Sequence, residues 1–439
     1  MEHVDTLLHA RWIIPVEPDA AVYEHHSLAI KDGRIHALVS GDEARRRYQT
    51  DVVVELADHA LIPGLINAHT HAAMTLFRGL ADDLPLMDWL NNHIWPAEQR
   101  WVNPEFVRDG TRLAAAEMIR SGTTCFSDMY FFPDHTAEVA TEAGIRAVVG
   151  LIMIDFPTAW ARDTQEYFEK GEEVHDRFKH NPLIRTTFAP HSPYMVSDQP
   201  LQKIAMLAEE LDIPIHIHVN ETEDEINQSL ENHGKRPLER LKELNLLSQR
   251  LLAVHMTQLE LEEFDLLARY GVNVLHCPES NLKLASGFCP VYELKQAGVN
   301  VALGTDGAAS NNDLDMIGEM HTAALLGKGV ANNCTAISAD TVLRMSTINA
   351  AKALGMEQDI GSLTEGKEAD IVAIDLSQIE TQPIYDPVSQ IVYASNRNQV
   401  TNVWVSGKQL LKDRELMTIN QDEVLQKATE WGHKLKIND

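Results

Sequence analysis

The chain has 439 residues, 44% hydrophobic and 23% charged, with no low-complexity tract, which allows a large catalytic domain plus a smaller one. The 65 acidic against 37 basic side chains give a formal charge of −28, which repels phosphate backbones and anionic membrane surfaces, so neither nucleic acid nor membrane is an expected partner. No apolar run approaches the ~18 residues of a membrane span, and four scattered cysteines (Cys125, Cys277, Cys289, Cys334) without a CxxC pair suit a reducing cytoplasm.

In chain order, Met1–Val16 carries Glu2, Asp5 and Arg11 and lacks a signal-peptide layout. Short strands follow the pattern Leu7–Val16, Ser27–Ile30 and Ile35–Val39, with Lys31-Asp32-Gly33-Arg34 as a hairpin turn. Eight short, nearly continuous apolar runs come next: Leu61–Ala68, Thr123–Asp128, Arg146–Leu151, Ile184–Pro190, Ile213–His218, Leu251–His255, Val272–Cys277 and Val299–Asp306. Such runs are expected of parallel strands buried on both faces. Amphipathic segments such as Pro104–Arg120, Leu201–Leu211 and Leu259–Tyr270 separate them. Eight βα units in roughly 250 residues predict an α/β fold, a (β/α)8 TIM barrel, over 59–364. After a helical stretch at Ala339–Leu354, the tail returns to strands at Ile371–Asp375 and Val400–Val405, with a turn at Ser406-Gly407-Lys408. The two strand-rich ends, 1–58 and 365–439, are predicted to form one discontinuous small β-sandwich domain.

Two His-x-His pairs occur, His69-Thr70-His71 and His216-Ile217-His218. With 20 histidines in the chain, chance supplies roughly one such pair, so the pairs say little by themselves. Their positions say more. His69 and His71 fall at the carboxyl end of the first predicted strand, His218 closes the fifth, His255 the sixth and Asp306 the eighth. Barrel active sites are built at that rim from several strand ends. His69, His71, His218 and Asp306 are therefore the expected ligands of one Zn2+ per subunit, or of another divalent metal. No lysine ends the fourth strand (Thr186–His191) to bridge a second ion. A bound metal would lower the pKa of a coordinated water towards ~7.

Glu221 lies three residues beyond His218, where strand gives way to loop, and is the expected proton shuttle. His255 is expected either to orient the attacking water or to be an ordinary buried histidine. His216 shares a face with His218 one layer deeper and reads as a packed barrel-interior residue. His276 reads as structural or supporting, and His25, His26 and His180 as surface residues.

The segments Pro63-Gly64-Leu65-Ile66-Asn67-Ala68-His69-Thr70-His71, Gly304-Thr305-Asp306-Gly307 and Gly361–Asp370 resemble signatures of the amidohydrolase superfamily. Within it, Leu76–Leu84, Asp128-Met129-Tyr130-Phe131, Ala189–Tyr194 and Ser280-Asn281-Leu282-Lys283-Leu284 are similar to the 5′-methylthioadenosine/S-adenosylhomocysteine deaminase group. The resemblance covers essentially the whole chain. It implies that Glu98 binds the ribose hydroxyls, His191 contacts the nucleoside, Trp89 lines the pocket and Arg162 faces the 5′ substituent. It also implies that water adds to C6 of the adenine ring while Glu221 moves a proton to N1. His255 and Asp306 would hold the water and help ammonia depart, giving the inosine analogue.

One departure matters. Gly150-Leu151-Ile152-Met153 supplies no arginine for an amino-acid carboxylate, so a preference for the methylthio group over the homocysteine tail is expected. The rival readings are a guanine, cytosine or triazine deaminase or a chlorohydrolase, and, in a different class, a catalytically inactive barrel scaffold. The charge and the lack of an H-x-E…P-C-x-x-C signature argue against a nucleic-acid-editing deaminase. Exposed barrel helices leave room for a homo-oligomer.

Overall fold

The computed structural model describes residues 1–436; residues 437–439, at the end of the expected C-terminal β-segment, lie outside the described part. Eight parallel strands form one sheet in strict chain order: Leu65–Thr70, Thr123–Asp128, Arg146–Met153, Ile184–Pro190, Ile215–Val219, Leu251–His255, Asn273–His276 and Asn300–Leu303. They are called the first to eighth barrel strands below. The Asn67 amide draws the eighth strand back against the first: Nδ2 donates to Thr305 Oγ1 at 2.7 Å and Oδ1 accepts from Thr305 N–H at 3.0 Å. The Asp306 N–H donates to His69 O at 3.0 Å beside them. Every residue of the first, second, fifth and sixth strands is buried, which is why these stretches read as unbroken apolar runs rather than alternations.

The first expected strand, Leu61–Ala68, is in fact two. Val53–Pro63 belongs to a second sheet, and the barrel strand begins at Leu65. Gly64 is the break: a Cβ there would lie 1.9 Å from Thr124 Oγ1, so only glycine lets the chain pass against the second barrel strand. The apolar run continued across the break because both strands are buried at this point.

Both chain ends build the second sheet, eight strands from Thr6–Ile13 to Glu415–Leu416. The ends meet where Ile371–Asp375 runs antiparallel to His59–Pro63. The expected sandwich takes the form of one mixed sheet, with a two-stranded parallel ribbon (Glu2–His3, Tyr48–Gln49) beside it. Separate apolar clusters, around Leu8, Ile13, Ile371 and Trp404 and around Val4, Leu7 and Tyr48, give it cores apart from the barrel's. Among the described residues no helix is long and apolar enough to cross a membrane. All four cysteines are free thiols.

Arg146, 4% exposed at the start of the third barrel strand, ties the two parts together. Its Nε donates to Asp370 Oδ2 at 2.7 Å, and Nη2 reaches Asp370 Oδ1 at 3.1 Å and Glu368 at 3.0 Å. Removing one partner of a buried pair leaves an uncompensated charge, so Arg146→Met is expected to cost about 3–5 kcal/mol, read as a fall in the urea midpoint. Arg146→Lys should recover only part of it, because an ammonium cannot make the two-pronged contact.

Candidate active site

The carboxyl ends of the barrel strands bring His69, His71, His218 and Asp306 to one point, their ligand atoms all within 4.8 Å of one another. His69 Nε2 and His71 Nε2 stand 3.3 and 3.2 Å from Asp306 Oδ1, and His218 Nε2 is 3.2 Å from His69 Nε2. Each imidazole is held through its other nitrogen. His71 Nδ1 donates to Met129 O at 2.5 Å and His218 Nδ1 to His191 O at 2.7 Å. His69 Nδ1 lies 2.8 Å from His216 Nε2, whose Nδ1 in turn lies 3.2 Å from Ser127 Oγ. With Nδ1 used in this way, all three rings turn an Nε2 lone pair to the same place.

This donor set fits a divalent cation with borderline nitrogen and oxygen preferences. Three imidazole nitrogens and a carboxylate oxygen converge with no lysine or arginine among them. Burial would push Asp306 up, but the adjacent imidazoles overcome it and hold it well below the usual carboxylate range. Burial lowers His69 to about 4, whereas at His71 the hydrogen bond and charge of Asp306 outweigh burial and raise it to about 9. The cluster therefore favours positive charge at its centre. Asp306 is itself oriented: its Oδ2 accepts from Ser280 Oγ at 2.6 Å and Ser310 Oγ at 2.9 Å, which leaves Oδ1 for the cluster.

Backbone geometry at the rim is unusual. His255 (φ 74°) and Asp306 (φ 64°) both adopt the left-handed conformation that L side chains disfavour. Such residues cost roughly 1–3 kcal/mol each and persist only where surroundings over-determine them. Here the Asp306 N–H donates to His69 O and the Met256 N–H to Val219 O, pinning both turns to neighbouring strands.

Glu221 is buried rather than a solvated loop acid, and the cap of the following helix is Thr222. Burial raises its pKa. Ser286 Oγ donates to its Oε1 at 3.4 Å, and its Oε2 lies 3.9 Å from His255 Nε2. The Glu225 carboxylate accepts the N–H groups of Asn220 and Glu221 at 3.0 and 2.7 Å, which fixes the loop that carries Glu221. His255 stacks on His218 at 5.4 Å but stands outside the metal-competent four.

A cavity of about 610 Å³ opens over the cluster and is lined by His71, His191, His218, Glu221, His255 and Asp306 at its base. Trp89, Trp95, Glu98, Ile152 and Phe156 continue its wall. Glu98 Oε1 accepts from Tyr130 OH at 2.7 Å, and burial pushes this carboxyl up to about 7. His191 faces the cavity with its Nδ1 buried and without a protein partner, and burial lowers it to about 3. Trp89 is 6% exposed and anchored by Nε1–H to Ala81 O. Arg162 is not in the wall. Its side chain is 80% exposed and turns to Asp163 and Glu166, because Asp163 caps the helix Thr164–Phe178 at that point. The segment that does line the cavity is Phe156-Pro157-Thr158-Ala159, and no lysine or arginine borders it among the described residues.

Three positions that the motifs did not assign take part in this arrangement. His216 is no mere packing residue, since it holds His69, and Tyr130 and Glu225 hold Glu98 and the Glu221 loop. The two-residue spacing of His216 and His218 was the available signal for the first.

The family model of the Amidohydrolase family matches residues 60–410 of the chain. The chain is 52% identical over 434 residues to a 5-methylthioadenosine/S-adenosylhomocysteine deaminase of Saccharophagus degradans, covering 98% of this chain and 97% of that protein. It is 50% identical over 432 residues to a protein of the same description from Teredinibacter turnerae, with 98% of each covered. A crystal structure of an adenosine deaminase from Xanthomonas campestris with bound zinc superposes with a TM-score of 0.98 at 51% identity, covering 99% of each chain.

Proposed function

The chain belongs to the amidohydrolase family, and from that premise we propose that it is a zinc-dependent deaminase converting 5′-methylthioadenosine to 5′-methylthioinosine in preference to S-adenosylhomocysteine. The observation that carries the reading is one cavity over the His69, His71, His218 and Asp306 cluster that is also lined by Glu221, Glu98 and His191, with no lysine or arginine on its wall among the described residues. A bound zinc ion would supply Lewis acidity and lower the pKa of the attacking water.

The chain's own groups do the rest. Glu221, buried and raised in pKa, takes a proton from the water and delivers it to N1 of the ring. His255, beside Glu221, holds the water against C6, and Asp306 helps ammonia depart. Glu98 accepts the ribose hydroxyls with the oxygen that Tyr130 leaves free. His191, neutral through burial, contacts the nucleoside with its unpaired nitrogen, and Trp89 closes the side of the pocket.

The test is a competition among 5′-methylthioadenosine, S-adenosylhomocysteine and adenosine on zinc-loaded protein, followed by the ultraviolet change from adenine to hypoxanthine. A charged hydrogen bond contributes about 1.5–3 kcal/mol, so its absence should favour the methylthio compound by about 10–100-fold in kcat/KM. Equal efficiency on both would overturn the preference. Turnover of none would overturn the reaction.

The raised pKa of Glu98 gives a pH signature. Only the carboxylate can accept both hydroxyl protons, so kcat/KM is expected to fall about tenfold per unit as pH drops below about 7. The folded protein holds this proton more tightly than the unfolded chain does. Glu98 therefore costs stability as pH rises from 4.5 through about 7. Glu98→Gln should lose that acid limb along with most of the ribose affinity. An unchanged limb in the variant would assign it to another group.

A further inference from the structure

The motif Ser280-Asn281-Leu282-Lys283-Leu284 supplies no metal-competent residue, yet it follows the seventh barrel strand directly into the site. Three side chains of the segment that begins there each reach a different functional group. Ser280 Oγ donates to Asp306 Oδ2 at 2.6 Å, Asn281 Oδ1 lies 2.9 Å from His255 Nδ1, and Ser286 Oγ donates to Glu221 Oε1 at 3.4 Å. The segment is anchored at both ends. Pro278–Lys283 forms a short helix after Cys277, and Ser286 O accepts from Thr257 Oγ1 at 3.2 Å and Gln258 Nε2 at 2.7 Å. Gly287 (φ +135°) makes the turn that permits this contact, since a Cβ there would meet Gln258 Nε2 at 2.6 Å. Lys283 Nζ ties the middle to Asp82 at 2.6 Å, and Leu284 reaches the cavity wall.

We propose that residues 280–286 form a positioning strap for the reacting groups, in which Asn281 holds His255 in the tautomer protonated at Nδ1. His255 needs such a partner. Its backbone is in the left-handed conformation, and its ring is 1% exposed, stacked on His218. The side-chain carbonyl of Asn281 accepts from Nδ1–H, so the lone pair of Nε2 faces Glu221 Oε2, 3.9 Å away. A ring presented in that way accepts a hydrogen bond from the water and leaves the carboxylate free to take its proton. The inference rests on the proposed role of His255, but the tautomer can be read without any substrate.

The experiment compares Asn281→Leu and Asn281→Asp with the unaltered zinc-loaded protein, labelled with 15N-histidine, the His255 signals being assigned by their loss in His255→Gln. Leucine fills the space without an acceptor; aspartate can only accept. The unaltered protein should show His255 protonated at Nδ1 alone. Asn281→Leu should show a mixture of tautomers and a kcat lower by about 10–100-fold with KM little changed, the usual effect of losing an outer hydrogen-bond partner. Asn281→Asp should keep the Nδ1–H tautomer and recover most of that kcat. An unchanged tautomer in Asn281→Leu, or a fall in Asn281→Asp as deep as in Asn281→Leu, would overturn the assignment. Failure to deaminate any of the three nucleosides would sink the substrate reading and leave the tautomer result standing.

Discussion

Glu221→Gln is expected to keep stoichiometric zinc and to lower kcat by about a hundred- to ten-thousand-fold, the range for loss of a general acid–base group. The amide has nearly the carboxylate's shape and can still accept from Ser286 Oγ, so the loop should stay in place. The loop is held independently by Glu225 and by Thr257 Oγ1, which donates to Glu221 O at 2.6 Å. The missing function is then proton transfer alone. Because Glu221 contributes no atom to the metal-competent four, metal content measured by atomic absorption should be unaltered. Retained turnover would remove Glu221 from the shuttle role. Loss of metal together with turnover would make it a structural residue of the cluster instead.

Asp306→Ala has the other large expected effect, and it should fall on the metal first. Asp306 Oδ1 is the only carboxylate oxygen in the cluster and stands within 3.3 Å of both His69 and His71. Without it three imidazoles remain and the site loses its anionic ligand, so zinc should be held far less tightly, and with the carboxylate's part in the departure of ammonia also gone, activity should vanish. A ligand binding only the folded state at 1,000 times its Kd contributes about 4 kcal/mol, so the Tm of the variant should also lose its dependence on added zinc.

His216→Leu is the informative contrast. Removing an outer partner of a metal-binding histidine weakens metal affinity by about 10–100-fold, so its activity should return as zinc is raised. If Asp306→Ala were rescued by zinc in the same way, Asp306 would be an orienting residue rather than a ligand.

These three variants probe a part of the molecule that its sequence exposes only partially. His69, His71, His218, His255 and Asp306 could be placed at strand ends because strands buried on both faces read as short apolar runs, and each run stops where polar chemistry begins. The barrel follows from the same pattern, as does the pairing of both chain ends in a second sheet. These are local properties, legible wherever burial alone dictates residue type.

The remainder depended on contacts between residues far apart in the chain. Gly64 separates two sheets only because Thr124 passes within reach of an absent Cβ, a fact held in no local pattern. Arg162 lies near the pocket in sequence, but Asp163 starts a helix there and the side chain turns to solvent. His216 reads as core until His69, 147 positions away, is placed against it. The left-handed turns at His255 and Asp306 go against local preference and exist because neighbouring strands pin them. Periodicity and composition thus determined which strand ends bring the clustered histidines and Asp306 together. Tertiary packing alone decided tautomer, orientation and charge, because those depend on hydrogen bonds and burial assembled from eight separate strands.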